Sequence, residues 1–186
     1  MAKQSWKPGN MLYPLPVVMV SCADGGKPNI LTVAWTGTIC SDPPMVSISV
    51  RKERYSYDLI KKSGEFVINL TTEALVRATD YCGVRSGRKE DKFERTGLTP
   101  VPAEVVKAPL IAESPVNIEC RVKEIKELGS HDMFLAEVVA VHADEAYMDE
   151  GGKFDLSFAK PIVYSHGTYY CLGKALGTFG YSVKKQ

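Results

Sequence analysis

The chain has 186 residues, enough for one domain, 1–186, with a sizeable core. Its 45% apolar and 24% charged content is that of a globular protein and argues against a disordered or fibrous chain. A formal net charge of +1 gives no global field for nucleic acid. The short apolar run after Pro14 and Pro16 fits neither a signal peptide nor a membrane span, so the expected location is the cytoplasm.

Taken in order, Leu15–Cys22 predicts a strand, and Asp24-Gly25-Gly26 a tight turn into a second strand over Ile30–Cys40. Ser41-Asp42-Pro43-Pro44 cannot belong to a central strand, because proline lacks a donor. Met45–Arg51 then alternates, with Val46, Ile48 and Val50 on one face and Ser47, Ser49 and Arg51 on the other. That polar face runs into Arg51, Lys52 and Arg54, and Ser56 reads as the N-cap of a short helix ended by Gly64. Hydroxyls, guanidinium groups and a helix start within a few residues suit a phosphate; an exposed basic turn is the simpler alternative.

Further on, Glu65–Leu70 is an expected strand, and Thr72–Tyr81 an expected helix. A polar, glycine-punctuated stretch follows, with a short helix over Lys89–Arg95. Segments of that kind cover ligands or meet other subunits. Val116–Ile125 alternates as a half-buried strand, with Asn117 and Glu119 on its polar side, and Met133–Ala143 returns beside it after a turn that carries His131. Pro161–Tyr164 is a last short strand. Regular strands, turn signals and few helices predict a mainly β, Greek-key-like barrel rather than βαβ units. Five cysteines without a CxxC pair, and three histidines without ligand spacing to them, predict buried thiols and no metal site; Cys82, at an expected helix end, is the candidate for a functional thiol.

The ordered series Asn29-x-x-Thr32-x-Ala34-Trp35-Thr36-Gly37, Asp42-Pro43-Pro44, Ser49-Val50-Arg51 and Ser56 resembles the flavin reductase-like family. The likeness continues through Cys82-Gly83, Ser86-Gly87, Asp91-Lys92-Phe93, Ala108-Pro109-Leu110-Ile111, Glu119-Cys120 and Gly129-Ser130-His131, from about Pro14 to Gly173, and is nearest the flavoredoxin-like subgroup. The resemblance implies an FMN-binding split β-barrel, with a helical or loop insert over about 71–100 covering the flavin. It implies that Thr32, Ala34, Trp35 and Thr36 line the ring and that Asn29 meets the ring or ribityl edge. Ser49, Val50, Arg51, Arg54 and Ser56 would lie at the phosphate end, with Lys92 adding charge. His131 would lie near the ring or an incoming nicotinamide, and Tyr164 would flank the flavin. Glu53 interrupts the basic run, so which of Arg51, Lys52 and Arg54 meets the phosphate stays open.

No GxGxxG fingerprint follows a strand, so NAD(P)H would have to bind without a Rossmann half. Three functions are compatible: an FMN-dependent oxidoreductase drawing on NAD(P)H, an FMN electron carrier served by a redox partner protein, and a non-catalytic barrel for another phosphate ligand. The resemblance also implies a homodimer.

Overall fold

The computed structural model describes residues 1–183, so the last three residues of the expected 1–186 domain fall outside the described residues. Its centre is a seven-stranded antiparallel sheet. The strands are β2 (Val18–Cys22), β3 (Asn29–Val33), β4 (Thr36–Ser41), β5 (Pro44–Val50), β6 (Glu65–Leu70), β9 (Val116–Glu127) and β10 (Asp132–Ala143), in the spatial order β3-β2-β6-β9-β10-β5-β4. β1 (Leu15–Pro16), β11 (Ile162–Ser165) and β12 (Thr168–Cys171) form a small second sheet, and β7 (Pro100–Val101) pairs with β8 (Leu110–Ile111). Three short helices complete the chain: α1 (Tyr55–Ser63), α2 (Val76–Val84) and α3 (Lys92–Thr96).

Local chemistry explains the main elements. Gly25, at φ +96, closes the β2–β3 hairpin where a side chain would be strained. β2 reads VMVSC and is buried along its whole length, because both faces are covered. On the concave side, Val20, Val33, Ile48, Phe66, Cys120 and Phe134 pack with Tyr57 and Ile60 of α1. On the other side Met19 and Ile30 meet Leu75 and Cys82, with Phe93 of α3 in the same cluster. Full burial of a side chain of this size contributes roughly 1.5–3 kcal/mol, so these two layers are the main stabilising element.

Three expectations are corrected. Ile30–Cys40 is two strands, since the chain breaks at Ala34 and Trp35 and crosses from β3 at one edge of the sheet to β4 at the other. Ser56 does not cap α1. Arg54 occupies the N-cap, with extended backbone and no side-chain cap bond, while Ser56 lies inside the first turn and is buried. The polar side of Val116–Ile125 is not exposed at Asn117 and Glu119, because the 104–111 segment covers both.

Candidate functional site

The two-residue crossing at Ala34 and Trp35 opens a cleft of about 720 Å³ between the sheet edge, the end of α2 and the β11–β12 hairpin. Thr32, Ala34, Trp35, Ser49, Val50 and Arg51 line it, together with Arg54, His131 and Tyr164. Nine of the thirteen site residues expected from the sequence thus share one cleft. Backbone bonds hold its floor: Ser49 N–H donates to the Trp35 carbonyl at 2.8 Å, which ties β5 to the crossing. Thr32 donates its hydroxyl to the Thr79 carbonyl and so fixes α2 against β3.

Asn29, Ser56 and Lys92 do not enter that cleft. They line an adjoining cavity of about 370 Å³ with Tyr55, Arg85, Ser86 and Gly87. Arg54 and Leu31 border both spaces and join them. Asn29 donates from Nδ2 to Ser56 Oγ at 2.7 Å, a buried bond between β3 and the first turn of α1. A Cβ on Gly87 would lie 2.1 Å from Asn29 Oδ1 and 2.8 Å from the Tyr55 ring, so only glycine lets this loop approach. Lys92 is 2% exposed and donates to the carbonyls of Ile30 and Cys82, both at 2.7 Å. An ammonium has three donors, so one is left beyond these two. Burial holds this ammonium below the usual lysine range.

Thr36 lies apart from both spaces. Its hydroxyl donates to the Ser47 carbonyl at 2.9 Å, and it borders a separate hollow of about 420 Å³ beside the segment Gly9–Tyr13. Trp35 and Ser49 border that hollow as well as the main cleft.

His131 stacks on Trp35, with ring centroids 5.9 Å apart and planes 12° from parallel. Desolvation and the nearby Arg51 and Arg54 hold its imidazole below the usual histidine range, so it is neutral at pH 7. The turn that carries it is anchored from below. Tyr57 on α1 donates to Asp132 Oδ2 at 2.6 Å, and this bond, with burial, pushes the Tyr57 hydroxyl up to about 12. Lys52 Nζ lies 3.2 Å from Glu127 and 3.5 Å from Asp132, so it is engaged outside the cleft. Arg51 is drawn toward Glu53 at 3.7 Å, and Arg54 Nη1 makes one long bond, 3.4 Å, to the Gly83 carbonyl.

Cys82 is fully buried, and desolvation pushes its thiol up to about 11, which makes it a packing residue rather than a reactive one. Sequence reasoning missed Asp80 and Tyr169, whose pairing across α2 and β12 no local pattern signals, and Arg85, whose loop carries only a turn signature.

Chemically, the two joined spaces offer a flat aromatic platform, backbone groups of an edge strand, the three arginines Arg51, Arg54 and Arg85, and a buried ammonium. The class defined by this fold is a split-barrel protein, here with an open cleft joined to a polar, basic cavity. The flavin reductase like domain matches residues 10–173, and the chain belongs to this family, whose fold binds flavin. Among solved structures, it is similar to the flavoredoxin of Desulfovibrio vulgaris (Miyazaki F), at 36% identity and a TM-score of 0.91 over 98% of this chain and 100% of that one. Flavoredoxin from Methanosarcina acetivorans is 30% identical, with a TM-score of 0.87 over 98% and 100% of the two chains. A split-barrel domain structure from Shewanella frigidimarina, 23% identical with a TM-score of 0.80 over 90% and 86%, shares the fold. No helix among the described residues is long and apolar enough to cross a membrane.

Proposed function

We propose that this chain binds FMN and passes electrons from NAD(P)H through it to flavin or to a flavin-fed acceptor. The observation that carries the reading is the continuity of the two spaces through Arg54: a ring-sized cleft walled by Trp35, His131 and Tyr164 leads into a polar cavity with Ser56 and the buried Lys92. Bound FMN supplies the hydride and electron chemistry. The protein's part is then to bind, orient and exclude water. Ala34, Trp35 and Thr32 bound the ring, and Ser49 and Val50 support its edge. Arg54, Asn29 and Ser56 face the phosphate, with Lys92 adding positive charge and Arg51 screening from the rim. Neutral His131 offers a hydrogen bond without adding charge near the nicotinamide. The segment 71–100 closes the phosphate cavity from the side as an insert in a single domain.

An electron carrier that holds FMN and is reduced by a partner protein is the second reading, favoured by the likeness to two flavoredoxins. Purified protein loaded with FMN should show a flavin absorbance band and consume NADH or NADPH steadily. A flavin band without nicotinamide oxidation supports the carrier. A colourless protein that takes up no FMN overturns both.

Trp6, Met11, Leu12, Leu172, Leu176 and Phe179 are exposed apolar side chains near the two ends of the described chain, and a second copy is the occupant proposed for them. Equilibrium sedimentation checks this, with a dimer as the expected mass. Five free cysteines suit a reducing cytoplasm.

A further inference from the structure

The flavin reading places Tyr164 beside the ring but leaves its neighbours Tyr169 and Asp80 without a task. β11 and β12 carry Tyr164 and Tyr169, whose ring centroids lie 5.7 Å apart, and Tyr13 packs against Tyr164 at 6.3 Å and against His166 at 4.2 Å. The hairpin turn between them is His166 and Gly167, at φ 47 and 83. Positive φ at both central residues is the demand of a type I′ turn, and a non-glycine residue held there is uncommon. The turn therefore fixes these rings at the mouth of the cleft. Asp80 of α2 stands beside them and accepts from the Tyr169 hydroxyl at 3.1 Å. Among the described residues it is the sole acidic one lining the cleft, and no ion pair involves it.

We infer that Tyr164, Tyr169 and Asp80 form a second-ligand subsite that selects planar aromatic molecules bearing a cationic or hydrogen-donating substituent and disfavours carboxylates. The inference deepens the proposed function, since such a molecule would lie beside the bound flavin. Two tyrosine faces supply stacking, which prefers planar rings and tolerates many of them. Asp80 supplies the discrimination. Its neighbour is a neutral phenol, so its charge is not cancelled locally. Once an FMN phosphate takes up the positive charge of Arg54, and with Glu53 3.7 Å from Arg51 partly offsetting the other arginine of the cleft, the charge nearest the tyrosine wall is that of Asp80. Asp80 is exposed, so the interaction is the weak, water-screened kind, and the expected discrimination is about five- to tenfold.

Three isosteric probes test it: benzamidine, benzamide and benzoate. Dissociation constants are measured at pH 8, which keeps histidine charge out of the comparison. Perturbation of flavin absorbance reports on FMN-loaded protein, and saturation-transfer NMR on the protein without flavin. Benzamidine should bind about five- to tenfold tighter than benzoate, with benzamide between. Asp80→Asn should erase that ranking, whereas Tyr169→Phe, which keeps ring and carboxylate, should preserve it. Tyr164→Ala should weaken all three probes alike. Equal or tighter binding of benzoate, a ranking that survives Asp80→Asn, or no binding of any probe at millimolar concentration overturns the subsite. A chain that takes up no FMN yet still ranks the probes by NMR refutes the flavin reading and leaves the subsite standing.

Discussion

Replacing Arg54 by alanine is expected to weaken FMN binding more than replacing Arg51. Arg54 borders both the main cleft and the adjoining cavity, whereas Arg51 borders the cleft alone. The guanidinium of Arg54 is held by one 3.4 Å bond to the Gly83 carbonyl, so little is lost when it turns to a phosphate. A charge-assisted bond of this kind is worth about 1.5–3 kcal/mol. Arg54→Ala should therefore raise the FMN dissociation constant about 10- to 150-fold. The Arg51 side chain is 49% exposed and shares its charge with Glu53, so its loss should cost at most about 1 kcal/mol, or roughly fivefold. Quenching of FMN fluorescence on binding, titrated for wild type, both single variants and the double variant at low and high salt, measures this directly. The Arg51 effect should fade with salt, and the Arg54 effect should persist. Thermal midpoints should match wild type, because neither side chain caps α1. Wild-type affinity in Arg54→Ala, or a larger loss in Arg51→Ala, refutes the assignment of Arg54 to the phosphate.

Glu119, which lines neither the cleft nor the adjoining cavity, should be a keystone of stability. Its buried carboxylate accepts from the amides of Glu104, Val105 and Val106 at 2.7–2.8 Å and pairs with His142 Nε2 at 2.6 Å. Burial pushes its carboxyl up, but the His142 bond and the amides together hold it below the usual 4.5. Its contribution is therefore present above pH 4.5 and lost as pH falls through the folded value; Glu119→Gln should lose about 3–5 kcal/mol in urea unfolding at pH 7 and show a smaller acid dependence. Gly87→Ala should weaken FMN at least tenfold, since its Cβ would displace Asn29 from Ser56; unchanged affinity in the same fluorescence titration would show that the loop yields freely. Thiol labelling of native protein at pH 8 should reach Cys171 and the half-buried Cys40 only. Cys22 and Cys120, pushed up by burial to about 12, and Cys82, at about 11, should react after unfolding, and fast native labelling of Cys82 would refute its packing role.

Much of this was legible in the sequence. Alternation marked β5 and β9, and glycine and proline marked the turns, one of which announced β10 as the returning strand, because those signals are local. The missed features are the non-local ones. Asn117 and Glu119 alternate as a solvent face should, but the 104–111 segment folds over them and supplies their partners. Ser56 has the chemistry of a cap, yet its hydroxyl is taken by Asn29 from 27 positions earlier. The β-rich run from Ile30 to Cys40 hides its break because Ala34 and Trp35 do not carry a turn signature, and the break follows from curling of the sheet. The ordered motifs placed nine residues in one cleft, but periodicity alone gave no sign that Thr36 lies outside it.

The crossing at Ala34 and Trp35 joins the two margins of the seven-stranded sheet, β3 and β4, by a bridge only two residues long. Whatever lodges in the cleft beside it touches β3, the crossing and β5 together and acts as a clasp on the curled sheet. Amide exchange in β3 and β5 should therefore slow in concert when the clasp is filled, although five strand pairings separate them along the sheet.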